Sequence, residues 1–289
     1  MNLRQPVRAG SFYESIPSSC RNHAVKLIEA ANVPDDTPPA FGGIVPHAGW
    51  SYSGRLAALT LKAVLRDPQV DTLVLLGADH CGTVRRGEVF DTGTWRSPLG
   101  DVQVNEALAQ AIIRADGCLR ANPKAHTYEH SLEVQVPIIQ VLKPSIQIVP
   151  IGIPPINQAV QVGEVIGRVL KERFPHARVV GSSDLTHHGG HFPAPGGRGL
   201  QGVEWTEKND QRILSLMENM QAAEIIEEAA EHGNACGAGA IAATVAAAKV
   251  MGSAQGLVLS YTNSYRIIHE QSPEESDDTA VGYASVVFA

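Results

Sequence analysis

The sequence predicts an α/β protein, a three-layer α/β/α arrangement around a central mixed or mostly parallel sheet. Short aliphatic runs alternate with helix-length segments along the whole chain, the pattern of βαβ units. Several runs, such as Thr72-Leu73-Val74-Leu75-Leu76-Gly77, are apolar at nearly every position, as expected of strands covered on both faces. Three runs also end in polar clusters, and ligands of open α/β sheets bind beyond the carboxyl ends of strands.

The elements follow in order. Cys20 to Ala31 has helical spacing and gives way to the turn-rich stretch Asn32 to Pro39. A strand at Gly42 to Val45 leads into a helix from about Arg55 to Arg66. The strand Thr72 to Leu76 runs into a Gly-rich connection and a short strand at Glu88 to Thr92. Helices are expected at Glu106 to Ala115 and at Ser131 to Leu142, the second capped by Ser131. Strand Ile146 to Ile151, helix Gln158 to Phe174 and strand Arg178 to Val180 come next. Helices at Glu207 to Met220, Ala222 to His232 and Ala238 to Met251 precede strands Gly256 to Tyr261 and Gly282 to Phe288. The Gly/Pro stretch His191 to Gly199 reads as a loop near a site, and Pro273 to Asp278 as a solvated turn. No linker divides the chain, so residues 1–289 are expected to form one domain.

Composition narrows the function. A net charge of −7 with scattered Lys and Arg excludes the basic stripe of a nucleic-acid binder. The most apolar helix, Ala238 to Met251, is too short to span a bilayer. Neither a signal h-region nor a CxxC pair is present among Cys20, Cys81, Cys118 and Cys236, so the expected setting is a reducing cytoplasm without membrane attachment.

The polar clusters carry the chemistry. His47 follows a strand and Pro46, and His80 follows another, beside Asp79. Asp79 is expected either to orient a neighbouring histidine or to cap a turn. In Ser182-Ser183-Asp184-Leu185-Thr186-His187, a carboxylate and a histidine three positions apart suit proton transfer, with Asp184 setting the tautomer of His187. His188 and His191 read as incidental residues of a Gly-rich surface loop. In Glu129-His130-Ser131-Leu132-Glu133, helix capping accounts for Ser131 and Glu133 but not for Glu129 and His130. Cys236 stands before a helix, where a thiol pKa is lowered. No P-loop, GxSxG elbow, HExxH helix or Rossmann fingerprint occurs. A metal site built from separated strand ends is the economical reading, with a metal-free Cys–His site behind it.

Further pieces join these residues: Ala9-Gly10-Ser11-Phe12-Tyr13, Pro46-His47-Ala48-Gly49-Trp50-Ser51-Tyr52, Leu76-Gly77-Ala78-Asp79-His80, Cys236-Gly237 and Gly282-Tyr283-Ala284-Ser285. The ordered set resembles the Memo family, whose prokaryotic members are called AmmeMemoRadiSam system protein B. That family is similar in fold to the catalytic subunits of class III extradiol dioxygenases. The resemblance implies that His47, His80 and Cys236 are metal ligands, with cysteine where the dioxygenases carry glutamate, and that His187 is the acid/base with Asp184 beside it. Thr186 and His188 depart from the animal protein, so pocket shape there is expected to differ.

Two functions follow. The first is a non-haem, metal-dependent oxidoreductase or dioxygenase-like enzyme acting on an unknown small molecule. It would use one transition metal ion, iron or copper with zinc as a further option, and Glu129, His130, Tyr52 and Phe12 would line its substrate cavity. The family's gene neighbours imply AMMECR-type and radical SAM proteins as partners. The second is a scaffold binding a peptide or phosphopeptide in the same cleft, using Phe12, Tyr13, Trp50 and Tyr52.

Overall fold

The computed structural model describes residues 2–272 and 278–289, so most of the acidic stretch expected as a turn, Pro273 to Asp277, lies outside the described residues. In chain order, β1 (Leu3–Arg4) precedes α1 (Pro17–Ala30), β2 (Gly42–Val45), α2 (Trp50–Val64) and β3 (Thr72–Gly77). Next come β4 (Gly87–Val89), β5 (Thr94–Ser97), β6 (Gly100–Gln103), α3 (Glu106–Ala115) and β7 (Leu119–Ala121). They are followed by α4 (Val136–Leu142), β8 (Gln147–Gly152), α5 (Gln158–Arg173), β9 (Ala177–Ser182) and β10 (His187–His188). Last are α6 (Gly199–Glu218), α7 (Ile225–His232), α8 (Ala238–Met251), β11 (Gly256–Asn263), α9 (Ser264–Gln271) and β12 (Ala280–Phe288).

The central sheet has the order β12-β2-β9-β3-β8-β4-β7, and β10 and β11 both pair with β12. Its middle strands, β2, β9, β3 and β8, are parallel, whereas β12 and β4 join them antiparallel. Helices cover both faces. On one side α2 packs on β2 and β12, and on the other α8 packs on β2, β3 and β9 with α5 behind it. The fold class is therefore the expected mixed, mostly parallel α/β/α sandwich.

Small residues set the spacing of the α8 layer. A Cβ at Gly163 of α5 would lie 2.1 Å from the Ala243 carbonyl oxygen of α8. The alanine-rich sequence of α8 thus reflects a helix buried all round, against which α5 approaches backbone to backbone.

Several boundaries differ from expectation, each for a local reason. The Ser131 to Leu142 helix shrinks to a 3₁₀ turn, Glu133–Gln135, followed by α4. Pro137 accounts for this, because its ring would clash with the Glu133 carbonyl in a continuous helix. Helix α2 starts five residues early, at Trp50, because Trp50 and Ser53 are buried and Gly54 abuts Leu27. Helix α6 starts at Gly199, burying Gly202, Val203 and Thr206. The β5–β6 hairpin, β1, β7, β10 and α9 were not expected.

Glu133 is not a helix cap. Its buried carboxylate accepts from Arg4 Nη1, from the backbone N–H groups of Val7 and Arg8, and from Tyr13 Oη. Arg4 also donates to the carbonyls of His126 and Glu129. One carboxylate therefore anchors the N-terminal segment, and the Phe12 carbonyl then accepts from Trp50 N at 2.8 Å. Tyr13 and Trp50, expected in a binding pocket, instead stack in the core at 5.3 Å. Glu133→Ala should destabilise the fold by about 3–5 kcal/mol, because it leaves the buried Arg4 guanidinium without its counter-charge. Chemical denaturation checks this, and Arg4→Met combined with Glu133→Gln should recover part of the loss.

Candidate metal centre

The centre lies beyond the carboxyl ends of β2, β3 and β9. Parallel pairing aligns Val45 with Ser182, and the Ser183 N–H continues the ladder to the Val45 carbonyl. This register brings His47, two residues beyond Val45, against the end of β9. The His47 N–H donates to Asp184 Oδ1 at 2.7 Å, and His47 Nδ1 meets Ser182 Oγ at 2.9 Å. Ser182 Oγ donates its own proton to the Ser131 carbonyl. The hydroxyl is therefore an acceptor toward the ring, which places the His47 proton on Nδ1 and leaves the Nε2 lone pair free. That Nε2 lies 3.2 Å from Cys236 Sγ.

His80 is held by a second carboxylate. Its Nδ1 donates to Glu129 Oε1 at 2.9 Å and its backbone N–H to Oε2 at 2.7 Å. The N–H groups of His130 and Ser131 also donate to Glu129 Oε1. Glu129 does not line the cavity, where it was expected; it is a buried carboxylate spent on orienting His80. Asp79 caps the turn at Thr83 and Val84 instead.

Cys236 reaches the site from far along the chain. Its N–H donates to the Asp184 carbonyl, and the Gly237 N–H to Ser183 Oγ. A Cβ at Gly237 would lie 2.4 Å from the Ser182 carbonyl oxygen, so only glycine permits this approach.

One ligand atom from each of His47, His80 and Cys236 falls in a group whose members all lie within 4.8 Å of one another. Two imidazoles with occupied Nδ1 atoms, plus a thiol, form a donor set suited to copper, zinc or iron. His80, Glu129 and His130 form a second close group, but Glu129 is already saturated by N–H donors.

The electrostatics follow from burial. Burial, aided by His80 and His130, holds the His47 pKa well below that of a free imidazole. Burial and His80 lower His130 to about 4. At His80, burial works in the same direction, but the hydrogen bond and charge of Glu129 outweigh it and raise the pKa. Burial raises Asp184 to about 7 against the opposing hydrogen bond from the His47 N–H. The Cys236 thiol was expected to be acidified by its helix, but burial and Asp184 push its pKa up; a coordinated cation would reverse this.

His187 borders the same cavity, but Asp184 does not set its tautomer. His187 Nδ1 donates to the Leu185 carbonyl at 3.0 Å, while Asp184 accepts from the His47 backbone. Burial lowers the His187 pKa, so the ring is neutral, with Nε2 as its basic atom. The segment carrying it is held by Asp210, which accepts from the Thr186 N–H at 2.9 Å and from Tyr261 Oη at 2.7 Å.

The cavity has a volume of about 550 Å³. Phe12, Tyr52 and His130 line it as expected, joined by His191, Phe192 and Tyr283. His191 is thus a wall residue and not an incidental one. His188 is fully buried beside Trp205, with 5.4 Å between ring centroids. Ser182 and Tyr283 stood within recognised motifs without a role, whereas Ile268 and Val281 carried no signal beyond apolarity.

The fold and site define an α/β protein with a His/His/Cys cluster at the carboxyl edge of a mostly parallel sheet. The model of the Memo-like protein family matches residues 4–287, and the chain belongs to that family. It is 32% identical to the MEMO1 family protein MK0963 of Methanopyrus kandleri, across 99% of this chain and 98% of the relative. It is also 32% identical to the MEMO1 family protein TK1477 of Thermococcus kodakarensis, across 99% of each. The crystal structure of uncharacterized protein JW3007 from Escherichia coli K12 shares the fold, with a TM-score of 0.50 and 12% identity over 85% of this chain and 98% of that one. Among the described residues, no helix is long and apolar enough to cross a membrane.

Two outcomes test the geometry. Ser182→Ala and Glu129→Ala each remove the acceptor that orients a histidine, and each should weaken metal affinity by about 10–100-fold in chelator competition. Burial raises Asp210 to about 7, so the folded state binds more protons than the unfolded state between about pH 4 and pH 7. Stability relative to Asp210→Asn should therefore fall as pH rises through that window and level off above it, as measured by denaturation at each pH.

Proposed function

We propose that this protein is a metal-dependent, non-haem oxidoreductase of dioxygenase-like type acting on a small molecule. The observation that carries the reading is the convergence of His47, His80 and Cys236 beside a cavity that also holds His187. Three protein donors are the usual number in catalytic sites, which keep a position open for substrate or water. An iron or copper ion held there would supply O₂ and one-electron chemistry.

The remaining functions fall to the chain. Ser182 and Glu129 orient the two imidazoles so that each presents Nε2. Asp184 fixes the backbone on which His47 sits. His187, neutral and anchored through Nδ1, accepts a proton at Nε2 from a substrate hydroxyl and can return it later in the cycle. Phe12, Tyr52 and Phe192 exclude water from the cavity's inner part. AMMECR-type and radical SAM proteins fit as suppliers or users of the same small molecule.

Protein purified without oxygen should carry close to one iron or copper per chain by elemental analysis, and His47→Ala and Cys236→Ala should lose it. Stoichiometric metal in a His47→Ala/His80→Ala double variant would falsify the ligand assignment. Oxygen uptake with a panel of catechols then tests the reaction, and if metal-loaded protein turns over none of them, ring cleavage is ruled out.

A further inference from the structure

We propose that a groove beside β1 binds an extended peptide of a partner protein, which adds a strand to the open edge of β1 and sets an acidic side chain against Lys124. The groove shares no lining residue with the metal cavity, so the proposal stands apart from the metal-site reading.

The backbone supplies the first observation. The small sheet has the order β1-β5-β6, so β1 is an edge strand paired with β5 on one side only. The Thr94 N–H of β5 donates to the Asn2 carbonyl, and alternation along the strand turns the N–H and C=O of Leu3 to the opposite edge. Gln5 precedes Pro6, which keeps it extended, so its N–H points to that same edge. Among the described residues, these three groups take no hydrogen bond. A row of unpaired backbone groups is a template for another strand, and main-chain pairing of this kind holds extended peptides at sheet edges.

The surface around that edge supplies the second. Leu3 and Gln5 line a cavity of about 360 Å³ together with Val7, Pro123, Tyr128 and the buried Phe90. Leu3, Val7 and Tyr128 are 40%, 38% and 74% exposed, so three large apolar side chains meet solvent at one place. Single exposed apolar residues need no explanation, whereas a cluster of them marks an interaction site.

Charge selects the occupant. The lining has two charged residues, Arg4 and Lys124, and no carboxylate. Arg4 is bound to Glu133, whereas the exposed Lys124 forms no ion pair among the described residues. A second copy of this chain would bring the same cationic strip against itself, since a twofold contact pairs a patch with its own image. A foreign strand with apolar side chains at alternate positions and one carboxylate meets the groove without that conflict.

The test selects random heptapeptides displayed on phage against the full chain, then measures the selected sequences as synthetic peptides by calorimetry. Peptides with alternating apolar residues and an acidic one should be enriched. Saturation with such a peptide should slow hydrogen exchange of the Leu3 and Gln5 amides by at least about tenfold, because newly paired edge groups are protected. Lys124→Glu should weaken its binding by about three- to tenfold, as attraction becomes repulsion. Gln5→Pro, which removes an outward N–H, should weaken it as well. The exchange measurement uses the unaltered chain, so it decides the matter even if Gln5→Pro misfolds. No enrichment, protection confined to residues around Tyr52 and His187, or unchanged affinity in Lys124→Glu overturns the proposal. So does a dimer in sedimentation that Gln5→Pro dissolves, because the edge then belongs to a second copy.

Discussion

The parallel pairing of β2 with β9 is the constraint on which the centre depends. With Val45 opposite Ser182, the chain leaving β2 places the His47 ring beside the Ser182 hydroxyl and its N–H against Asp184. The same end of β9 receives Cys236, through the Asp184 carbonyl and Ser183 Oγ. A slip of one residue would reverse the facing of the β2 side chains relative to those of β9 and separate His47 from Ser182 and Asp184. The site is therefore a consequence of register. Its precision comes from a sheet whose middle strands are buried on both faces.

Around that register the protein uses one device twice. Each imidazole assigned to the metal has its Nδ1 occupied by an oxygen whose other bonds are already committed. For His47 the oxygen is a hydroxyl that must donate to Ser131; for His80 it is a carboxylate held by backbone N–H groups. Tautomer and ring orientation are then determined before any ligand arrives. His187 follows the same logic with a backbone carbonyl. The turn carrying Glu129 is tied through Arg4 to Glu133, so the N-terminal segment that supplies Phe12 and the support of His80 share one anchor.

Burial then determines which groups carry charge. It keeps His47, His130 and His187 neutral and makes Asp184 reluctant to ionise. Glu129 remains ionised despite burial because His80 and backbone N–H groups bond to it. The outcome is a cavity in which imidazoles and aromatic rings lie side by side, Phe12 against His130 and Phe192 against His187, with the Glu129 carboxylate set behind His80.

The order and type of the main elements were legible because strand and helix periodicities are local properties. The sandwich, the parallel middle strands and the strand ends bearing His47, His80 and His187 all follow from apolar runs and their spacing. The Cys236 assignment came from a motif, since nothing local links residue 236 to residue 47. What only the tertiary structure decided is which oxygen faces which nitrogen: Ser182 for His47, Glu129 for His80, and Leu185 in place of Asp184 for His187. Those pairings depend on register and on the close approach at Gly237, which join residues as many as 189 positions apart. The protonation states likewise required three dimensions, because burial outweighed the helix-end effect that alone would have acidified Cys236.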